Sequence, residues 1–282
     1  MVTRDQVEQA IAGWQEPFID FLCVHAAAWR TWVEQSDSMV AGAHVALEDV
    51  PDFFKSDYEW AEAVLAMGDQ GAFNWNDPRI VGLFAKAVQT PFYRLWGDTI
   101  IGIALALADA ATSGALVEVG AGRGNLSARM LDAMRARGMS RPLVITDAHA
   151  TVLDSLAGLR RQFPAQSLET VVWDVNQPAP RTVADLRGPV LVYERASLTY
   201  ANFQSIENLA RIADVAVLGD YFNYTGELFA YDRLFEKIGL KPLMYSDIKP
   251  LLERCFSGHV VVDRRVHETI SLPNVCLIIA WK

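Results

Sequence analysis

The chain has 282 residues, of which 51% are hydrophobic and 21% charged, a composition typical of a folded globular protein with a sizeable core. The net charge of −9 is uneven, since residues 1–110 hold 6 Lys and Arg against 16 Asp and Glu, whereas residues 111–282 hold 19 against 18. An acidic front half and a neutral back half argue against a surface for nucleic acid or an anionic membrane. We therefore expect the partner to be a small molecule or a carrier-bound substrate.

The three cysteines, Cys23, Cys255 and Cys276, are scattered, with no CxxC pair and no Cys/His cluster at metal-ligand spacing. This pattern predicts free thiols and no metal site. Residues 1–5 show no basic region leading into an apolar core, so a signal peptide is not expected. The longest apolar run, 100–108, is too short to span a bilayer. The prediction is a cytoplasmic protein.

Residues 1–110 are predicted to be helical throughout. Thr3 and Gln6 form a capping-box pair, and Thr90 followed by Pro91 supplies an N-cap and a proline at the first helical position. Apolar residues at three- and four-residue spacing predict helices over Pro17–Glu34, Pro78–Gln89 and Phe92–Ala110.

Aromatic side chains are concentrated in this helical half. Trp75, Tyr93 and Trp96 lie shortly before the next structural region, and together with Tyr221 further along they are the candidate substrate-binding residues. The alternative is that each of them packs in the core. We predict that residues 1–110 form a helical cap over a substrate pocket, and this cap is also a candidate dimerisation region.

From Ala115 onwards, strands alternate with helices. Strands are predicted over Ala115–Val119, Pro142–Thr146, Glu169–Trp173, Pro189–Tyr193 and Val215–Leu218, and helices over Leu126–Arg137, Thr151–Phe163, Ala201–Ile212 and Glu227–Ile238. The run Leu240–Tyr245 is ambiguous between strand and loop. Two β runs, His259–Val266 and Val275–Trp281, have no helix between them and predict an antiparallel hairpin. Residues 111–282 are therefore predicted to form an α/β domain with a mostly parallel, Rossmann-like sheet covered by helices on both faces.

A glycine turn follows the first predicted strand. Gly120, Gly122 and Gly124 alternate here, and a helix follows. Because glycine has no side chain, the backbone can adopt positive φ and approach a ligand closely. The N–H groups at the start of the helix point into the same space. This turn predicts a nucleotide-type site.

Acidic residues end four consecutive predicted strands: Asp147, Asp174, Glu194 and Asp220. Parallel strands bring their carboxyl ends to one edge of the sheet, where ligands bind. Asp147 has the spacing of a carboxylate that binds both hydroxyls of a ribose. Asp174 is placed to accept from an adenine amino group while the Val175 N–H meets a ring nitrogen. The alternative for each aspartate is that it caps the following helix.

A nicotinamide or flavin fingerprint, G-x-G-x-x-G, is the main rival interpretation of the turn. Here the third glycine comes one residue early, and Glu118 lies two residues before the first. A carboxylate there would repel a pyrophosphate but would suit the positively charged amino group of a sulfonium cofactor. An NAD(P)-dependent oxidoreductase is the less favoured alternative.

The motifs Glu118–Gly124, Ile145–Asp147 and Val172–Asp174 resemble those of class I S-adenosylmethionine-dependent methyltransferases, over roughly residues 111–282. The stretch from Thr146 to Asp174 is similar to the carbon-methylating modules of polyketide and peptide assembly lines. The resemblance implies S-adenosylmethionine as cofactor. It also implies that Gly120, Gly122 and Gly124 contact the methionine part of the cofactor and that Asp147 binds its ribose. Asp174 and Val175 would bind the adenine, and Glu194 and Arg195 would line the site.

The chain departs from these modules where they carry a histidine base, in the loop after the fourth strand. Leu198, Thr199 and Tyr200 stand there instead. Candidate bases are therefore Glu194, Tyr200, Asp220, Tyr221 and Tyr224, although alignment of the reactants can suffice without a base. The predicted function is C-, O- or N-methylation of a small, partly hydrophobic molecule in specialised metabolism. The alternative is a protein of this fold that binds the cofactor without transferring methyl groups.

Overall fold

The computed structural model describes residues 2–67, 77–111, 114–198, 201–224, 230–237, 243–264, 266 and 276–282. Its front half contains helices α1 (Arg4–Ala12), α2 (Gln15–Val24), α3 (Ala26–Val40), α4 (Lys55–Met67), α5 (Pro78–Ala87) and α6 (Pro91–Ala110), with short 3-10 helices at Leu47–Asp49 and Asp52–Phe54. The prediction of a helical front half is confirmed.

Local capping signals mark the starts of two of these helices as predicted. The Thr3 hydroxyl accepts a hydrogen bond from the Gln6 N–H at 3.3 Å, and the Gln6 side chain accepts from the Thr3 N–H at 2.9 Å. Thr90 is the N-cap of α6, with Pro91 next to it. The predicted continuous helix over 17–34 is wrong, because His25 has φ −94° and ψ 8° and separates α2 from α3.

In the described part of the back half, seven strands form one sheet. Its strands are β1 (Ala115–Val119), β2 (Leu143–Asp147), β3 (Leu168–Val172), β4 (Val190–Arg195), β5 (Val215–Asp220), β6 (Gly258–Val261) and β7 (Cys276–Trp281). The order is β3-β2-β1-β4-β5-β7-β6. Strands β1 to β5 pair in parallel, and β7 is antiparallel to both β5 and β6. The predicted mostly parallel sheet with an antiparallel terminal hairpin is confirmed.

The remaining helices are α7 (Asn125–Ala136), α8 (Ala150–Ser155), α9 (Ala157–Gln162), α10 (Arg181–Ala184), α11 (Gln204–Ile212), α12 (Ala230–Lys237) and α13 (Tyr245–Cys255). The predicted single helix over 151–163 is divided into α8 and α9 at Leu156. Helix α13 was not predicted. It buries Ile248 and Leu252, which are four residues apart and lie on one face. Strand β6 stops at Val261, short of the predicted Val266, because the chain turns at Asp263, whose carboxylate accepts the Leu277 N–H at 3.0 Å.

Helix α6 lies directly against β4 and β5. Its residues Trp96, Ile100, Ile103 and Leu107 are fully buried at helical spacing. A Cβ at Gly219 of β5 would lie 2.5 Å from Ile100 Cδ1, so the absent side chain makes this close approach possible. Helix α6 therefore joins the helical half to the sheet through a shared core, while the functional division at residue 110 stays a prediction. None of the helices in the described ranges has the length and apolar character needed to cross a membrane.

Candidate functional site

A cavity of about 400 Å³ opens at the carboxyl ends of β1, β2 and β4. The strand order reverses on either side of β1, and such a switch point is where open α/β sheets bind ligands. The volume lies in the range of small-molecule sites. Its walls come from the glycine turn, the residues that follow β2, β3 and β4, and the end of α5.

The three glycines of the turn have φ values of 64°, 53° and 75°, in the left-handed region that side chains rarely adopt. A Cβ at Gly120 would overlap Ser197, and one at Gly124 would lie 2.5 Å from Leu156 Cδ2. At Gly122 a Cβ would meet nothing within 4 Å. The protein therefore packs against Gly120 and Gly124, where a side chain would not fit. Gly120 and Gly122 both line the cavity, and free space surrounds only Gly122 of the three glycines.

Asp147 ends β2 and holds the glycine turn. Its Oδ2 accepts the Gly122 N–H at 2.9 Å, and its Oδ1 accepts the His149 N–H at 3.0 Å. The side chain is buried, and the residue lines the cavity. Because each carboxylate oxygen can accept more than one hydrogen bond, both oxygens keep capacity for ligand hydroxyls.

The residues after β3 form one end of the cavity. Asp174 Oδ1 accepts the Asn176 N–H at 3.0 Å, in a tight turn. Val175 is buried beside it, and its carbonyl accepts from Asn208 Nδ2 at 2.9 Å. Trp173 also lines this end, with its Nε1 donating to the Gln177 carbonyl at 3.0 Å. Asp174 therefore accepts a backbone N–H two residues further on, as the capping alternative expects, and it also lines the cavity.

Glu118 of β1 is a buried carboxylate in the cavity wall. Its Oε2 accepts a hydrogen bond from the Tyr193 hydroxyl at 2.9 Å. Burial raises the pKa of Glu118 to about 7, opposed by neighbouring hydroxyls and by the charge of Arg195. The group is therefore poised between its neutral and anionic forms at neutral pH, and a cationic ligand would favour the anionic form.

Arg195 is the last residue of β4, the strand that neighbours β1 on the side away from β2. Its Nη1 donates to the Tyr93 carbonyl at 2.9 Å, and its guanidinium lies 5.6 Å from the centre of the Tyr93 ring. Burial lowers the pKa of Arg195, yet a guanidinium stays charged at any physiological pH. This arrangement places a positive charge in the cavity wall, held from behind by the Tyr93 carbonyl of α6.

No protein-family model matches the chain, and no curated protein sequence does. Solved structures do match in fold. The carbon methyltransferase DszA matches with a TM-score of 0.64 and 15% identity, covering 83% of this chain and 68% of its own. The methyltransferase domain of the citrinin polyketide synthase matches with a TM-score of 0.58 and 12% identity, covering 73% of this chain. The pyocyanin biosynthetic protein PhzM matches with a TM-score of 0.51 and 15% identity, covering 94% of this chain and 73% of its own.

The chain has a methyltransferase fold. The resemblance predicted from the three motifs is thereby confirmed at the level of fold, which is what identities of 12% and 15% can show. The chain spans 57% of the length of the citrinin domain that it matches.

Two predicted catalytic candidates, Glu194 and Asp220, are fully buried and do not line the cavity. Glu194 Oε2 accepts the Ser197 N–H at 3.0 Å and the Ser197 hydroxyl at 2.8 Å. Burial, and then the nearby Asp220 carboxylate, raise the pKa of Glu194 well above its usual range. Glu194 therefore holds the loop after β4, where Ala196 has a left-handed φ of 54° and itself lines the cavity.

Three of the predicted substrate-binding residues, Tyr93, Trp96 and Tyr221, form a buried cluster behind Arg195. The hydroxyls of Tyr93 and Tyr221 are hydrogen-bonded, and the Trp96 ring lies 5.4 Å from that of Tyr221. All three are buried, and the cavity wall does not include them. They support the wall through Arg195, because Tyr93 contacts its guanidinium.

The last three predicted residues are Tyr224, Trp75 and Tyr200. Tyr224 packs against Tyr245, with 5.0 Å between ring centres, and does not line the cavity. Trp75 and Tyr200 lie outside the described residues. Within the described ranges, no group of three or more His, Cys, Asp or Glu could hold a metal ion.

The apolar side of the cavity was not predicted. Phe84, Ala85 and Val88 reach it from the end of α5, and Leu126 reaches it from α7. The amphipathic pattern of α5 indicates a buried face but does not indicate which surface it covers. The segment after α5 contacts the start of α7 through a hydrogen bond from Gln89 Nε2 to Asn125 Oδ1 at 3.3 Å.

Proposed function

We propose that this protein is an S-adenosylmethionine-dependent methyltransferase for a small, partly hydrophobic molecule of specialised metabolism, either free or bound to a carrier. The observation that carries the proposal is the pair formed by Gly122 and Asp147. An open, left-handed glycine is hydrogen-bonded to a carboxylate with spare acceptor capacity. The pair lies at the switch point of a methyltransferase fold.

The chemistry of the donor and acceptor groups fits this cofactor. Gly122 leaves the room that a bulky ligand needs, and Asp147 would bind the ribose hydroxyls. Asp174 and Val175 would bind the adenine, and Glu118 would bind the amino group of the methionine part. When bound, the cofactor supplies a methyl group on a positively charged sulfur. Glu118 disfavours a pyrophosphate at the same place, which speaks against the nicotinamide alternative.

The chain's own contribution is to position the reactants and exclude water. Phe84, Val88 and Leu126 make one wall apolar, and Asp147 keeps the glycine turn in its binding conformation. Glu194 is unsuited to accept a proton from the acceptor, because it is fully buried and does not line the cavity. We therefore propose that transfer relies on alignment of the acceptor rather than on a strong base, with oxygen, nitrogen and carbon acceptors all open.

The setting of the enzyme is also proposed. Residues 85 and 88 of the helical half lie at the cavity, which supports a role for residues 1–110 as a cap over the acceptor. The same region is proposed to form a homodimer. Cys23 and Cys255 are free thiols, which supports a cytoplasmic location.

The cofactor is tested by calorimetric titration with S-adenosylmethionine and, separately, with NADH. We expect S-adenosylmethionine to bind the wild type and to lose at least about tenfold in affinity for Asp147→Ala, since hydrogen bonds to a charged group are lost. Asp154→Ala is the matched control, because Asp154 is an exposed carboxylate on the next helix. Binding of NADH alone, or of neither compound, refutes the proposal.

Transfer itself is tested with methyl-labelled S-adenosylmethionine and a panel of phenol, amine and β-dicarbonyl acceptors. Labelled product with at least one class is expected and identifies the acceptor atom. Binding without any transfer across all classes would move the protein to the non-methylating alternative.

A further inference from the structure

The cavity wall contains a positive charge that the protein does not neutralise. Within the described part of the chain, the Arg195 guanidinium donates one hydrogen bond, to the Tyr93 carbonyl, and forms no ion pair. A guanidinium has five N–H groups. Glu118 acts on it electrostatically, but the two groups form no ion pair. A largely buried charge without a counter-ion is costly, so a ligand that supplies one gains the corresponding energy.

The protein also holds this guanidinium in a fixed place. Tyr93 lies beneath it, with its carbonyl as hydrogen-bond acceptor and its ring 5.6 Å away. A Cβ at Gly97 of α6 would lie 2.8 Å from Arg195 Nη1, so the glycine leaves the space that the guanidinium occupies. The neighbouring Arg129 is paired with Asp98 and adds to the positive potential.

The surroundings of Arg195 indicate what the ligand carries. The cavity wall on the side of the helical half is apolar, with Phe84, Val88 and Leu126. The cavity lining also includes Arg123, but that residue is exposed to solvent, whereas Arg195 is mostly buried beside the apolar wall. The Arg195 fork of N–H donors matches one planar, negatively charged group, because a guanidinium binds carboxylates and oxyanions in a bidentate manner.

We propose that Arg195 is the anion-binding residue of this cavity and takes a carboxylate or oxyanion through the N–H groups that the protein leaves unused. Two sources supply this chemistry: the amino-acid end of the cofactor and an acidic group of the methyl acceptor. The choice of these two sources rests on the proposed function, whereas the assignment of Arg195 as an anion site does not depend on it.

The first arm of the test measures the cofactor source. S-adenosylhomocysteine and 5′-methylthioadenosine, which lacks the amino-acid end, are titrated into wild type, Arg195→Met and Arg195→Lys. If the cofactor's carboxylate binds Arg195, the Met variant loses about tenfold or more in affinity for S-adenosylhomocysteine and little for 5′-methylthioadenosine. The Lys variant keeps part of the affinity. Arg94→Met is the control, since Arg94 is exposed and not in the cavity wall.

The second arm measures the acceptor source. Benzoate and its neutral isostere benzamide are titrated into the same proteins, with and without saturating S-adenosylhomocysteine. If an acceptor's acidic group binds Arg195, wild type prefers benzoate over benzamide and Arg195→Met loses this preference.

Gly97→Ala provides a second route if Arg195→Met does not fold. The added methyl displaces the Arg195 guanidinium from its place against α6 without removing the charge from the protein. We expect it to weaken the same carboxylate ligand as Arg195→Met, by a smaller factor. The inference is overturned if wild type binds neither S-adenosylhomocysteine nor benzoate. It is also overturned if the folded variants bind both compounds with the affinity of wild type. Failure of wild type to bind S-adenosylhomocysteine while it prefers benzoate refutes the proposed function and keeps the anion site.

Discussion

Glu118 gives the protein a pH-dependent stability that one substitution removes. Burial raises its pKa from an ordinary value of 4.5 to about 7. In the unfolded chain the carboxyl loses its proton near pH 4.5, while in the folded protein it keeps the proton until about pH 7. The folded state therefore binds more protons than the unfolded state between these values, and stability falls as the pH rises through them. Below pH 4.5 both states are neutral, and the penalty is absent.

The size of the effect follows from the two pKa values. Each pKa unit corresponds to about 1.4 kcal/mol, so the free energy of unfolding falls by roughly 3 kcal/mol from this group between pH 4.5 and 7. Glu118→Gln removes the titration and keeps a side-chain oxygen that can accept from the Tyr193 hydroxyl. We expect the Gln variant to match wild type near pH 4.5 and to exceed it in stability above pH 7.

Urea unfolding of wild type and Glu118→Gln at half-unit steps from pH 4.5 to 8.5 measures the difference between their free energies of unfolding. The contributions of other titrating groups cancel in this difference. Glu169→Gln, at an exposed position on β3, reports the effect of changing the net charge alone. A constant difference between wild type and Glu118→Gln across this range would refute the buried-carboxyl account.

Two further predictions concern glycines. Gly122→Ala and Gly138→Ala both force alanine into a left-handed conformation with free space around it, so each should lose about 1 kcal/mol in urea unfolding. Calorimetric titration should show that only Gly122→Ala loses cofactor affinity, and equal binding by both contradicts a ligand at Gly122. Gly219→Ala should lose about 1–3 kcal/mol through overpacking against Ile100, seen as a lower melting temperature, and an unchanged melting temperature contradicts the close packing of α6 on β5.

The parts of the fold predicted correctly are those with strong local signals. Thr90 and Pro91 specify the start of α6, and the apolar run of β1 leads directly into a glycine turn. Helix α13 has the opposite character, because Pro250 lies inside it and normally argues for an end. Burial of Ile248 against the sheet outweighs that local preference, and a single sequence does not show such long-range packing.

The site follows the same division. Gly122 and Asp147 follow or end two neighbouring parallel strands, so the sequence could predict that they lie at the same edge of the sheet, although the hydrogen bond between them was not predicted. The resemblance to methyltransferases implied that both Glu194 and Arg195 line the site, although neighbouring residues on a strand point to opposite faces. The structure shows Arg195 in the cavity wall and Glu194 beneath the loop. The apolar wall around Phe84 depends on how α5 docks, which no local pattern contains.

The position of β7 affects what an interrupted synthesis would produce. This strand lies between β5 and β6 in the sheet, yet it follows both in the chain. A ribosome that stops after Val261 therefore releases a sheet in which β5 ends in an open edge and β6 has no backbone partner. Exposed edges of this kind promote intermolecular pairing. Premature stops in this region are expected to yield aggregating fragments, and a peptide spanning 276–281 added in trans is the natural candidate to rescue them.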